Sequence, residues 1–249
     1  MTGAFAFILG LVGGSFVNAV VWRLDKNERI VWARSKCVHC HHTLAAGDLV
    51  PLISFLWLNG RCRYCRKNIS WQYPAVELAA GLGFWVITQS GLSPENKIWL
   101  AGLFLIGLVI FVYDLKYTLI PNVFIAVGLV WTLAGILFLE PSRLISGLSA
   151  GVVISVFFLI LYLVSKGAWI GGGDIKLGFL MGLWLGWPMA VAALLFSYII
   201  GAIIGLALIA IQKATFKSQI PFGPFLITGA VAAYVFGSSL LESYFGLFL

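Results

Sequence analysis

The chain has 249 residues, of which 61% are hydrophobic and only 10% charged, and its mean hydropathy is +1.01. A water-soluble domain carries about 45–50% apolar and about 25% charged residues, which excludes an ordinary soluble enzyme, a disordered chain and a conventional nucleic-acid binder. The net charge of +7 would invite a phosphate-rich partner, but its placement along the chain points to a bilayer instead.

A helix needs about 20 mostly apolar residues to cross a hydrocarbon layer roughly 30 Å thick. The first such run is Gly3 to Trp22. No basic region precedes it, so it is expected to remain as a membrane helix rather than leave as a signal peptide. A hydrophilic, basic stretch follows to about residue 73. Seven further apolar runs cover about 75–90, 98–113, 119–139, 144–165, 177–187, 189–211 and 222–248. The sixth of the eight is short and ends at Trp187-Pro188, and the last contains Gly237-Ser238-Ser239, a candidate break.

The expected architecture is an all-α polytopic membrane protein of about eight transmembrane helices with a small zinc-binding loop domain. Residues 1–22 form the first transmembrane helix, 23–73 the four-cysteine loop domain, and 74–249 a membrane domain of about seven helices. Cytoplasmic loops retain Lys and Arg. With eight spans, all of the 16 basic residues except Lys97 and Arg143 fall on one side. That side is therefore expected to be the cytoplasm, with both termini outside. The 28 glycines suit close helix packing through small residues. The many Phe, Trp and Tyr residues suit span bodies and interfacial belts.

All four cysteines lie in the basic loop, as Cys37-Val38-His39-Cys40 and Cys62-Arg63-Tyr64-Cys65, with 21 residues between the pairs. Two residues between cysteines let both sulfurs converge on one ion, and two such turns supply the tetrahedral four-thiolate set that Zn²⁺ prefers. Disulfides are the alternative, disfavoured on a reducing cytoplasmic face. Four thiolates leave no open coordination position, so the zinc is expected to be structural. His39, His41 and His42 cluster nearby as exposed loop residues or alternative ligands.

Carboxylates at membrane depth are costly and are candidates for function. Glu95, Glu140 and Glu242 sit near outer turns or span ends, which leaves Asp114, Asp174 and Glu77. Asp114 ends the third span and precedes Ile120-Pro121-Asn122, and Asp174 follows Gly171-Gly172-Gly173. Each alone has an ordinary explanation: an interface charge beside Lys116, and a helix N-cap. Together they are expected on the cytoplasmic side at similar depth. Glycines without Cβ atoms admit an extended peptide backbone. Two carboxylates brought close share one proton, so one can deprotonate a water while the other polarises a scissile carbonyl. Asp114 and Asp174 are the candidate catalytic pair.

The chain resembles the bacterial type IV prepilin leader peptidases, bifunctional peptidase and N-methyltransferase enzymes of the GxGD intramembrane aspartyl protease group. The resemblance is carried by Gly10 to Asn18, Arg34 to Cys37 with both cysteine pairs, Gly47 to Pro51, and Tyr73 to Leu78. It continues through the Asp114 segment, Gly171 to Lys176, and Ile220 to Phe225. Val38 stands where many members have Pro. The resemblance implies cleavage of prepilin and pseudopilin leaders after a Gly at the cytoplasmic face, with Asp114 and Asp174 catalytic. It also implies methylation of the new N-terminus by S-adenosylmethionine, whose binding residues the sequence does not locate. The implied partners are prepilins or pseudopilins and the lipid bilayer, with no nucleic acid, and the oligomeric state is left open. Asp25, Glu28, Asp48 and Glu77 are candidate contacts for the basic leader. The rival classes are a proton- or ion-coupled transporter using Asp114 and Asp174, and a membrane-anchored zinc-ribbon adaptor.

Overall fold

The computed structural model describes residues 3–246 apart from 27, 31–33, 214, 216–217 and 219, with backbone alone for 238–246. The expectations for Lys217 and for the side chain of Glu242 lie outside the described residues. Nine α-helices are described: α1 (Gly3–Asp25), α2 (Ile53–Trp57), α3 (Gln72–Gln89), α4 (Pro94–Tyr117) and α5 (Asn122–Leu139) come first. They are followed by α6 (Leu144–Ser165), α7 (Gly172–Leu185), α8 (Met189–Ala210) and α9 (Gly223–Gly246). Among the described residues the only β pairing is two isolated bridges, Lys36 with Thr43 and Arg61 with Asn68.

Every apolar run of the sequence overlaps a long helix, and among the described residues α2 is the only α-helix inside the basic loop. Among the described residues five helical stretches are individually long and apolar enough to cross a membrane: α1, α4, α5, α6 with its preceding turn, and α8. The shortest of the eight long helices is α7, whose 14 residues reach only about 21 Å. Contrary to the candidate break at Gly237-Ser238-Ser239, α9 runs through these residues.

The chain divides into two compact units, Met1–Val109 and Ile110–Leu249, with the boundary inside α4. In the first unit, α1 and α3 touch backbone to backbone. A Cβ on Gly14 would lie 2.6 Å from the Glu77 Cα, and one on Gly10 would overlap the Ala80 carbonyl. The glycines of the first span therefore serve packing, as small residues do between helices in lipid. A buried amide ties the polar ends of the same helices: Asn18 Nδ2 donates to the Tyr73 carbonyl at 3.1 Å. Pro74 falls in the first turn of α3, where its missing N–H has no intrahelical acceptor to lose.

The second unit repeats the device. A Cβ on Gly182 of α7 would lie 2.6 Å from the Gly151 Cα of α6, and one on Gly178 would strike Phe158 at 2.6 Å. Arg143 closes the far end of α7, donating to the carbonyls of Trp184 at 2.8 Å and Leu185 at 3.3 Å. The same guanidinium pairs with Glu140. Glu140 is therefore half-buried and partnered rather than a freely solvated loop charge.

Candidate functional site

Both candidate aspartates lie in the second unit, and both are buried, at 4% exposure for Asp114 and 7% for Asp174. Asp114 stands three residues before the end of α4. The helix stops because Thr118 turns to φ 53°, with its amide still bonded to the Asp114 carbonyl at 2.7 Å. The side chain reaches across 109 residues of sequence: its Oδ2 accepts the Gly223 amide at 3.0 Å. Gly223 is the first residue of α9, where amides have no intrahelical acceptor and the helix dipole favours an anion. A Cβ on Gly223 would sit 2.6 Å from that oxygen, so only glycine admits the contact.

Asp174 is the third residue of α7. It is not the N-cap, which is Gly171. Its Oδ2 accepts the Gly171 amide at 3.0 Å, folding the side chain back over the helix start. The three glycines play different parts. Gly173 presses on Ile120, which a Cβ would meet at 2.9 Å, while Gly172 faces open space. Ile120 also lies within 3.3 Å of where a Cβ on Gly223 would stand, so one side chain links the surroundings of both acids.

Tyr198 packs on Phe222 with ring centroids 5.3 Å apart, and Phe222 in turn meets Phe158 at 6.1 Å. This gives an aromatic wall beside the acids. Among the described residues no cation pairs with either one. The Lys116 ammonium lies over the Tyr117 ring at 4.9 Å, and Lys176 Nζ donates to Asn122 Oδ1 at 2.8 Å. The interface pair of Asp114 with Lys116 is thereby excluded. Two neighbouring buried acids, each held by a backbone amide and neither neutralised by a cation, can share a proton and work as acid and base on one substrate bond.

In the first unit the four Sγ atoms of Cys37, Cys40, Cys62 and Cys65 all lie within 4.8 Å of one another. The Cys37–Cys65 separation is 3.8 Å, so these thiols are free. A tetrahedral ion with Zn–S bonds of about 2.3 Å requires sulfurs about 3.8 Å apart. The donor set fits a metal ion. No histidine takes part: His41 and His42 are exposed, and the His42 ring stacks on Tyr64 at 3.7 Å.

The cluster is a repeated local structure. The Cys37 amide donates to the His42 carbonyl and the Cys62 amide to the Lys67 carbonyl, each at 2.9 Å. His41 and Arg66 occupy the same left-handed position, with φ 57° and 60°. Burial resists ionisation of the Cys37 thiol, but hydrogen bonds from the Cys40 and His39 backbone and from neighbouring thiols bring it down to about 7. In the same cluster the Lys67 backbone favours the Cys65 thiolate, but burial and hydrogen bonds with the neighbouring thiols push that thiol up to about 11, so the four do not ionise alike.

The acids considered as leader contacts are all engaged within the protein. Asp25 pairs with Lys26 at 2.9 Å, Glu28 with Lys36 at 3.8 Å and Asp48 with Arg63 at 2.7 Å. Glu77 is buried at 7% exposure, and its Oε2 accepts the Leu52 amide at 2.9 Å. It is the sixth residue of α3, and it tethers the loop at Leu52, which itself adopts φ 59°. Sequence reasoning missed this anchor and the Gly223 amide. The only local hint of the second was glycine between prolines in Pro221-Phe222-Gly223-Pro224.

Residues 8–90 match the bacterial peptidase A24 N-terminal domain, and residues 99–206 match the type IV leader peptidase family. The chain is 34% identical to the prepilin leader peptidase/N-methyltransferase of Bacillus subtilis (strain 168), over 96% of each chain. It is 32% identical to that of Stutzerimonas stutzeri, over 96% of this chain and 92% of the relative. For Burkholderia pseudomallei (strain K96243) the figures are 33%, 94% and 85%. No solved structure matches. The ordered cysteine knuckles, the two buried aspartates and near-complete similarity along the chain agree, and the protein belongs to the type IV leader peptidase family.

Proposed function

We propose that this multi-pass inner-membrane protein is a prepilin peptidase and N-methyltransferase. It removes the leader of prepilins or pseudopilins after a glycine, at the cytoplasmic face, and then methylates the new N-terminus with S-adenosylmethionine. The observation that carries the hydrolytic half is the pair Asp114 and Asp174, both buried, both bordered by Ile120, and neither paired with a cation among the described residues. The cytoplasmic placement rests on the basic loops. The loop domain, residues 23–73, is the cytoplasmic module, and residues 74–249 carry the protease site.

Hydrolysis proceeds without a covalent intermediate. The ionised member of the pair removes a proton from water as the water oxygen bonds to the scissile carbonyl carbon. The protonated member gives its proton to the carbonyl oxygen. In the tetrahedral species that results, the C–N bond breaks as the acid formed in the first step protonates the leaving nitrogen, and the new carboxyl returns a proton to the second aspartate. The Gly223 and Gly171 amides hold one oxygen of each acid and leave the other for substrate. Gly172, without a side chain and facing open space, admits the extended segment.

Zn²⁺ is the metal that four thiolates in this geometry select. Its part is structural, because Cys37, Cys40, Cys62 and Cys65 fill its coordination. A module of this size needs such a staple to fold. The transporter and adaptor alternatives draw no support from any specific feature of either site.

The test is incubation of the purified protein with a prepilin, with and without methyl donor, followed by mass spectrometry of the product N-terminus. Loss of the leader, and gain of one methyl group when donor is present, is the expected result. Intact precursor would contradict the proposal.

A further inference from the structure

The two metal knuckles repeat each other in backbone but not in what surrounds them. Gly60, Arg61, Asn68 and Ile69 correspond to Ser35, Lys36, Thr43 and Leu44, with matching bridges Arg61–Asn68 and Lys36–Thr43. The first knuckle's Lys36 is paired with Glu28. Its counterpart Arg61 has no side-chain hydrogen bond or ion pair among the described residues, and neither do Asn59 and Asn68. The second knuckle also borders a cavity of about 490 Å³, which these three polar residues line together with Phe55, Gly60 and Trp71. Holding a metal explains neither the cavity nor its lining, since the first knuckle folds without them.

The lining has the character of a small-molecule site. Its volume falls within the roughly 300–1,000 Å³ usual for one, and such sites combine aromatic walls with a few placed polar groups. Phe55 is buried while Trp71 is 76% exposed, and their rings meet at 5.0 Å and 60°, forming an open aromatic corner. Arg61 and Asn68 stand opposite each other in an antiparallel bridge, so their side chains leave the same face. Gly60, at φ +66°, carries the backbone close beneath, and a Cβ there would come 3.1 Å from the Phe55 ring.

We propose that this cavity binds the S-adenosylmethionine of the methyltransferase activity; the assignment rests on that activity as proposed above. Each part of the donor finds a matching group. The purine lies in the aromatic corner of Phe55 and Trp71. The amide groups of Asn59 and Asn68 offer donors and acceptors to its edge. The Arg61 guanidinium, a planar fork matched to a carboxylate, takes the amino-acid end. The carboxylate at Arg61 also explains how a donor carrying a positive sulfonium is held in a basic loop.

The test is equilibrium dialysis of radiolabelled S-adenosylmethionine against the purified full-length, zinc-loaded protein, in parallel with its decarboxylated analogue. Arg61 and Trp71 are both exposed, so truncating them leaves the interior of the module intact, and zinc content reports its folding. Trp71→Ala is expected to weaken both ligands about tenfold or more. Arg61→Ala is expected to weaken the intact donor by about tenfold, the scale of a charge-assisted bidentate contact, and to leave the decarboxylated analogue unchanged. Equal donor affinity in wild type and both variants, at full zinc content, would overturn the assignment while leaving the activity standing. A wild-type protein that neither binds the donor nor methylates a cleaved pilin would instead refute the methyltransferase proposal itself.

Discussion

In the four-cysteine module the chemistry-bearing groups are brought together over short stretches of chain. Each pair closes within one turn, and Cys40 remains exposed. In the second unit the corresponding groups come from distant segments, are 4% and 7% exposed, and are each satisfied by one backbone amide. The cysteine site gathers its sulfurs through two local hydrogen-bonded turns and offers them as a set that fits one ion. The aspartate site is built from helix ends and glycines, which give each acid one backbone amide and set the surroundings of both against Ile120. The first is expected to be sensitive to loss of a thiolate or of metal, the second to small changes at the helix ends that position its acids.

The largest expected effect breaks the first region. Cys37→Ser removes one of four thiolates from a site whose metal is linked to folding by about 10 kcal/mol or more. Zinc content by elemental analysis should fall well below one equivalent, and the loop should become sensitive to limited proteolysis. Peptide hydrolysis should fall far less than in the aspartate variants. Full zinc content in this variant would contradict the ligand set.

The next effect breaks the second region. Asp114→Asn and Asp174→Asn should each lower the leader-cleavage rate by about 10³-fold or more, since an amide cannot cycle the proton, with zinc content unchanged. Gly223→Ala sharpens the contrast. Its methyl group would displace the Asp114 carboxylate, and a misplacement of that size costs about 10²-fold in rate. Cleavage by this variant at the wild-type rate would show that the Gly223 contact does not position the acid.

Two smaller effects probe how the module is anchored. Glu77→Ala strands the Leu52 amide, and should cost about 1–3 kcal/mol in thermal or denaturant unfolding. Burial works against the charge of Asp48, but the Arg63 guanidinium and the Ala45 amide hold its carboxyl below the usual value. Because the folded value is depressed, the contribution of Asp48 is present above its unfolded value of about 3.9 and lost as pH falls through the folded one. With Arg63 largely exposed, Asp48→Asn should cost only about 0.5–1 kcal/mol at neutral pH. The difference from wild type should disappear in acid.

Legibility from sequence followed the same division. The cysteine pairs were readable because their geometry is set by local spacing, and the eight long helices because apolar length is a local property. The Gly223–Asp114 contact was not readable, because 109 residues separate its partners and a glycine amide carries no side-chain signal. Glu77 was read as a candidate leader contact because an acid beside an apolar run carries no sign of its distant partner, the Leu52 amide. The break expected at Gly237-Ser238-Ser239 is absent. Small residues that weaken a helix in water are common in membrane helices, where no water competes for the backbone.

The most direct test of two separable chemistries uses Asp174→Asn with two substrates, intact prepilin and pilin already carrying a free N-terminus, both with methyl donor and both read by mass spectrometry. The account predicts that the precursor stays uncut while the processed pilin gains one methyl group. Cleavage of the precursor, or loss of methylation alongside cleavage in a zinc-replete variant, would contradict it.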